Sequence, residues 1–267
     1  MAFSLGQAAR DAGFGLVAFE SLGSTNAEAM AMGKAGLTQP TWVVARHQTA
    51  GRGRRGNVWA NVSGNLAASL VMVTDVTPAV AATLGFVAGI ALTDAVDCIA
   101  PYFDSGSASE RRLLLKWPND VLGDGAKLVG ILLESEQLAD GRRIVVIGVG
   151  VNVAMIPDGL PYKAASLSSL GAAVTAEDVF TALTDSWVSG VALWDEGRGL
   201  PAIRSRWLQR AAGLGTDVAV HIGREIVRGT FETIDDSGQL VIRKTEGGTV
   251  AVAAGDVYFG VAATAKV

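Results

Sequence analysis

The run Gly51-Arg52-Gly53-Arg54-Arg55-Gly56 carries the most suggestive chemistry in the sequence. Glycines let the backbone approach a ligand closely and allow several N–H groups to converge. Arginines add planar forks that match phosphate or carboxylate. Together they read as an anion-binding loop. The run is not a Walker A motif, because no Gly-Lys-Ser/Thr ending is present, and the third glycine is misplaced for a dinucleotide fingerprint. Trp59, just beyond it, offers a stacking face. An RNA-binding turn uses the same residue types, and a solvated basic loop is the plainest alternative. The charge map sharpens the choice. The net charge is −4, yet no acidic residue occurs between Glu28 and Asp75, where Lys34, Arg46, Arg52, Arg54 and Arg55 all lie. An acidic chain that keeps one cationic segment clear of acids is expected to set it against an anion.

Three further groups could join the loop. In Lys116-Trp117-Pro118-Asn119-Asp120, with Lys127 following, a strand that stops at proline would present polar side chains at a sheet rim. A lysine among apolar strands is costly unless it meets an anion, and Asp120 could hold Mg²⁺ carried on phosphates. The bland reading is an Asx-type turn with snorkelling lysines. Ser24-Thr25-Asn26 are polar groups that also serve as ordinary helix caps. Gly148-Val149-Gly150-Val151-Asn152 places alternating glycines in a strand, which marks close approach to its face and would admit a flat ligand. Asn152 offers both a donor and an acceptor. Taken together, the four groups suit a carboxylic acid and ATP held side by side.

The elements that must position these residues follow from pattern. Thr25 and Glu28 form a capping-box pattern, so a helix is expected over Ala29–Ala35 from near Thr25. Strands are expected at Thr41–Arg46, Leu66–Val73, Leu113–Lys116, Leu128–Glu134 and Ile144–Val153, the last as an edge strand able to pair with a second copy. Val76 to Thr93 carries no charge, but Thr77-Pro78 is a soluble helix start, and Asp94 and Asp97 follow at once. One buried core helix over Pro78–Ile99 is the reading. A serine-rich loop spans Asp104–Glu110, and helices are expected from Thr175 to Trp194 and from Pro201 to Ala211. After Gly213 short strands follow at Asp217–Ile222, Glu225–Ile234, Gln239–Arg243 and Thr249–Val252, a spacing that suggests a small β-barrel. The division is therefore an α+β domain over 1–212 and a small β domain over 213–267.

Bulk composition excludes several classes. With 49% hydrophobic residues in 267, the chain is not disordered and can bury a core without staples. The single cysteine, Cys98, excludes a disulfide framework and reads as a core residue of the apolar helix. His47 and His221 form no ligand-spaced pair. No signal peptide is read, which fits a cytoplasmic protein.

The motifs occur in the order and rough spacing of biotin–protein ligases, and the chain resembles that family from about residue 20 to 155 and again in its C-terminal β module. The residues that carry the resemblance are Ser24-Thr25-Asn26, Gln48 ahead of the Gly/Arg loop, Trp59, Lys116 to Asp120, Lys127 to Leu132 and Gly148 to Asn152. The resemblance implies a class II synthetase-like mixed β-sheet packed by helices, with a small C-terminal SH3-like β-barrel. It implies activation of biotin by ATP with Mg²⁺, then transfer to a lysine of a biotin carboxyl carrier domain of a biotin-dependent carboxylase. Ser24, Thr25, Asn26 and Gln48 would bind the ureido end, with Gly51, Arg52, Gly53 and Arg54 closing over it and Gly130, Gly148 and Gly150 beneath. Lys127 would meet the acid carboxylate and the α-phosphate, with Arg54 as a second catalytic cation. Arg55, Trp59, Lys116, Asn119 and Asn152 would hold the nucleotide, and Asp120 would meet Mg²⁺ or the incoming lysine. The loop's glycines suggest mobility before the ligand arrives.

Asn57 departs from the family pattern where many relatives carry another base, so one phosphate contact is expected to be missing. Ser24 lies too near the chain start for the winged helix of the bifunctional repressor–ligases, so no operator or other nucleic acid is expected as a partner. No membrane contact is expected, and both monomer and homodimer remain open. A lipoate or octanoate ligase is the nearest rival reading. A non-catalytic biotin sink is a third, and it would leave Lys127 and Asp120 without a task.

Overall fold

The computed structural model describes residues 2–60, 62–101, 113–223 and 225–259. A seven-stranded sheet is built from β1 (Gly15–Leu22), β2 (Thr41–Gln48), β3 (Leu66–Thr74), β4 (Leu113–Lys116), β5 (Asp120–Gly123), β6 (Ala126–Gln137) and β7 (Arg143–Val151). Its order is β1-β2-β3-β7-β6-β5-β4. Only β1 and β2 run parallel; every other neighbour pair is antiparallel. The central strands are apolar on both faces because both faces are covered. Trp42 and Val44 of β2, and Val145, Ile147, Val149 and Val151 of β7, enter the main core. Val43, Ile144 and Val146 face the other way and pack with Ala29 of α2 (Thr25–Lys34).

The main core is covered by α1 (Gln7–Asp11), α3 (Pro78–Ala82), α4 (Leu84–Ile99), α5 (Ala176–Trp194) and α6 (Leu200–Leu208). Residues 78–99 have the length and composition of a membrane span, but 78% of their apolar window is buried inside the protein. The expected single helix is in fact two, split at Thr83, whose hydroxyl donates to the Val80 carbonyl and accepts from Trp194 Nε1 at 2.8 Å. Gly89 lets α4 lie close to the sheet: a Cβ there would sit 3.1 Å from Leu115. Cys98 falls on the outer side of α4 and is exposed, not core, while Val96 and Ile99 in the same turn face the core. Helix α5 starts with a reciprocal Thr175–Asp178 capping box, a device worth roughly 1 kcal/mol.

Three local expectations need correction. Helix α2 is capped by Ser24, which accepts from Ala27 N at 3.4 Å, and not by Thr25. Thr25 is drawn inward, where its N–H and hydroxyl both reach Gln48 Oε1. Strand β7 is central, between β3 and β6, so the end strands of this sheet are β1 and β4, and the backbone of Arg210 and Ala212 bonds the outer side of β4 at Leu115. Strand β1 is not expected from the pattern, because its burial alternates only over residues 17–20 and none of its residues is fully buried. The serine-rich loop expected at 104–110 lies outside the described residues.

The C-terminal strands β8 (Asp217–Ile222), β9 (Glu225–Ile234), β10 (Leu240–Arg243), β11 (Thr249–Val252) and β12 (Asp256–Phe259) form an antiparallel sheet in the order β11-β10-β9-β8-β12. No β11–β12 pairing closes it among the described residues, so the hydrogen bonds show an open sheet where the strand spacing suggested a barrel. Val218, Phe231, Leu240 and Val257 join the main core, and Trp117 Nε1 donates to the Gly238 carbonyl at 3.1 Å.

Candidate active site

Alternation along β7 explains where the site lies. Ile144, Val146, Gly148 and Gly150 point to one face. The first two are covered by α2, and beyond its N-terminus the face continues as glycine, which opens a cleft of about 370 Å³. Gly130 of β6 lies opposite Gly150, which flattens the floor further. This floor is covered by side chains. A Cβ at Gly150 would come within 2.4 Å of the Trp59 indole, one at Gly130 within 2.8 Å, and one at Gly148 within 2.1 Å of Asn26 Oδ1. The flat group that the glycines admit is therefore Trp59.

One wall of the cleft is a row of polar groups. Gln48 Oε1 is fully used by Thr25, whose N–H lies 2.7 Å away. The buried Ser69 hydroxyl sits 2.8 Å from Thr25 Oγ1 and 2.6 Å from Asn26 Oδ1, and gives its one proton to one of them at a time. Asn26 Nδ2 donates to Glu134 Oε2 at 2.8 Å and to the Leu132 carbonyl at 3.3 Å. Ser69 and Glu134 are absent from the sequence reading. Both sit inside strands whose pattern shows a face but not a partner.

The opposite wall is cationic. Lys127 Nζ lies 2.8 Å from Asp120 Oδ1, between the Trp59 and Tyr162 rings at 5.8 and 5.4 Å. The Lys127–Asp120 contact is electrostatic, since Asp120 Oδ1 is buried without a directed hydrogen bond. Arg54 donates to Asn119 Oδ1 at 2.9 Å, and burial pushes its guanidinium below the ordinary arginine value, with Asp256 opposing. Asn119 in turn donates to the Ile131 carbonyl, fixing it on β6. Lys116 pairs with Asp120 across the β4–β5 hairpin, outside the cleft, with its ammonium 5.6 Å from the Phe259 ring. Burial lowers its pKa, and Asp120 only partly restores it.

The Gly/Arg loop is a small hairpin and not an open glycine chain. Gly53 N bonds Asn57 O at 2.7 Å and Trp59 N bonds Gly51 O at 3.0 Å. A Cβ at Gly51 would lie 2.4 Å from Trp59 O, so glycine is required for the crossing. Arg55 takes a left-handed φ of 55°, a strain of roughly 1 kcal/mol. It is tied to Asp256 of β12, while Arg52 Nη2 reaches Glu134 Oε2 at 2.9 Å. The cations that are clear of acids in sequence are thus met by acids from distant strands.

Of the residues expected at the site, Ser24, Thr25, Asn26, Gln48, Arg52, Gly53 and Arg54 line the cleft. So do Trp59, Asn119, Asp120, Lys127, Gly130, Gly148 and Gly150, together with Asn57. Gly51, Arg55 and Lys116 stand behind it. Asn152 lies in a smaller adjoining recess beside Trp59 and Tyr162, and its carboxamide is engaged internally, with Ala165 O at 3.1 Å and Asn65 at 3.4 Å. Asn65 also accepts from the backbone of Val153, Ala154 and Met155, which holds the chain leaving β7. No group of three metal-ligating side chains occurs among the described residues.

The cleft thus joins a polar row, a glycine floor covered by Trp59, and a wall that carries Lys127 and Arg54. Residues 18–152 match the biotin/lipoate A/B protein ligase family, and residues 213–260 match the biotin protein ligase C-terminal domain. The chain is 41% identical to the biotin–[acetyl-CoA-carboxylase] ligase of Paracoccus denitrificans, over 89% of this chain and 97% of that one. It is 36% identical to the corresponding ligase of Mycobacterium tuberculosis, over 88% and 85%. The fold matches the biotin protein ligase of Aquifex aeolicus, solved with biotin and ATP, with a TM-score of 0.72 at 22% identity over 91% and 97%. The chain belongs to the biotin/lipoate A/B protein ligase family, and its relatives at this level are the biotin-specific branch.

Proposed function

We propose that the protein activates biotin with ATP and transfers the biotinyl group to a lysine of a biotin carboxyl carrier domain. The observation that carries this reading is the joining in one cleft of a polar row, a glycine floor and the Lys127–Arg54 cation wall. In the first step a biotin carboxylate oxygen attacks the ATP α-phosphorus; a P–O bond forms as the bond to pyrophosphate breaks. In the second, the acceptor lysine amine attacks the acyl carbon, loses a proton and expels AMP. The first obstacle is repulsion between a carboxylate and a triphosphate, and fixed cations offset it. In this reading Lys127 meets both anions and Arg54 the phosphates. Ser24, Thr25 and the Gln48 amide face the ureido end, and Asn26 supports them from behind.

The side-chain set bears on Mg²⁺ as well. Asp120 presents a carboxylate whose Oδ1 faces Lys127 at 2.8 Å, which fits at most one ligand to a cation that arrives on phosphates, not a site built by the protein alone. Such an ion would add charge neutralisation to that of the two cations. We read 1–212 as the catalytic domain and 213–267 as the C-terminal one, an SH3-like module whose Asp256 reaches the cleft.

Labelled biotin supplied with a carrier domain tests the function: label is expected on the carrier only with ATP. Pyrophosphate release with biotin, lipoate and octanoate in turn separates the rivals, and activity with lipoate alone would overturn the reading. Arg54→Gly removes the tie to Asn119 and is expected to let biotinyl-adenylate escape. Label should then appear on lysines of an unrelated bystander protein; unchanged acceptor selectivity would count against it. Lys116→Met removes an ammonium that folding disfavours. It is expected to leave Tm unchanged or raise it by roughly 2–4 °C, while the KM for ATP rises. A lower Tm with normal ATP dependence would refute that role.

A further inference from the structure

Glu134 is a residue that the mechanism above does not use. It lies on β6 opposite Val146, with its carboxylate at the border between the polar row and the Gly/Arg loop. One oxygen, Oε2, accepts from both sides: Asn26 Nδ2 at 2.8 Å and Arg52 Nη2 at 2.9 Å. A carboxylate near the seat of a substrate acid is unfavourable unless it is neutralised and has a task. Arg52 neutralises it. The task follows from what a carboxylate can do, which is only accept.

Because Glu134 accepts, Asn26 must turn Nδ2 toward it, and Oδ1 then faces Ser69 and the space above Gly148. Oδ1 accepts from Ser69 Oγ at 2.6 Å, and Thr25 Oγ1, 2.8 Å from the same hydroxyl, gives its one proton to Gln48 Oε1. Thr25 N–H holds Gln48 Oε1, so Gln48 presents its amide N–H group. Glu134 and the Leu132 carbonyl, both acceptors only, thus set the direction of the bonds along the row, and Glu134 holds the shorter bond, 2.8 Å against 3.3 Å. A neutral amide at 134 would leave only the longer bond to keep Asn26 in this orientation.

We propose that Glu134 is a positioning residue that fixes the polarity of the acid-binding row and seats Arg52, coupling the sheet floor to the loop before substrate arrives. The kinetic part rests on the ligase reading; the physical part does not.

The test uses the full chain with Glu134→Gln, Arg52→Gln and the double variant. In the free protein, trypsin is expected to cut after Arg54 and Arg55 several-fold faster in each variant, with Tm within about 3 °C of the parent. The KM for biotin is expected to rise about tenfold and that for ATP less than about twofold. The double variant should be no worse than the poorer single, because both break one link. Unchanged cleavage or unchanged biotin KM overturns the coupling. So do additive losses, or equal rises in both KM values with a fall in Tm, which would mean a general structural role. If the parent protein forms no adenylate with biotin, the ligase reading fails, and the cleavage rates alone still decide whether Glu134 seats the loop.

Discussion

Lys127→Ala is expected to lower adenylate formation by about three orders of magnitude while leaving the fold intact. The ammonium lies 2.8 Å from Asp120 and between two aromatic rings, in a site where its side chain is only 24% exposed. Charge in such a place is held rigid and weakly screened, so its removal costs far more than the loss of a surface pair. The loss has two parts. Under the proposed mechanism two anions would have to approach without the cation assigned to both, and Asp120 is left as an uncompensated carboxylate in the same cleft. Lys127→Arg keeps the charge and is expected to recover part of the rate, since the guanidinium is larger and planar. Pyrophosphate release in single turnover, with circular dichroism as the fold control, makes the measurement. Turnover within about threefold of the parent protein would remove Lys127 from the mechanism.

Gly148→Ala is expected to be the most damaging small substitution in the sheet. The added methyl would lie 2.1 Å from Asn26 Oδ1 and 2.9 Å from its Cγ. Asn26 cannot yield at low cost, because it is buried and tied to Ser69, Glu134 and the Leu132 carbonyl. Relief requires driving the carboxamide out, which leaves those partners unsatisfied. The cost is about 2–4 kcal/mol, a Tm fall of roughly 5–12 °C, with biotin-dependent activity lost alongside. Gly53→Ala is the control: its φ is −111° and its nearest added contact is 3.4 Å, so stability should change by less than about 0.5 kcal/mol. Equal melting curves for the two variants would show that Asn26 is not fixed as described.

Much of this was legible in the residues alone. The capping box at Thr175 and the proline start after Thr77 are local devices, and short-range hydrogen bonds decide them. The strands β2, β3, β6 and β7 follow from apolar runs that need two covered faces. The motif residues were identifiable because glycine, arginine and a lysine near Asp120 are costly unless used. Misreadings arose where a distant partner overrides a local preference. Thr25 has the pattern of a cap, but Gln48 and Ser69 take its hydroxyl, and the cap moves to Ser24. Cys98 sits in an apolar helix, but its side of the last turn faces away from the sheet.

The opening loop shows the same division most clearly. Its sequence determined that glycines would permit a tight crossing and that three arginines would offer cations; both are properties of residue type. Tertiary structure decided which acid each cation meets. Glu134 and Asp256 are 82 and 201 positions away from Arg52 and Arg55, and no local pattern encodes pairs at that separation. Only Arg54 of the three is matched to a neutral group, Asn119. Pairing between strands remote in sequence is set by sheet order and register, so the fold ties down two arginines and aims the third into the cleft.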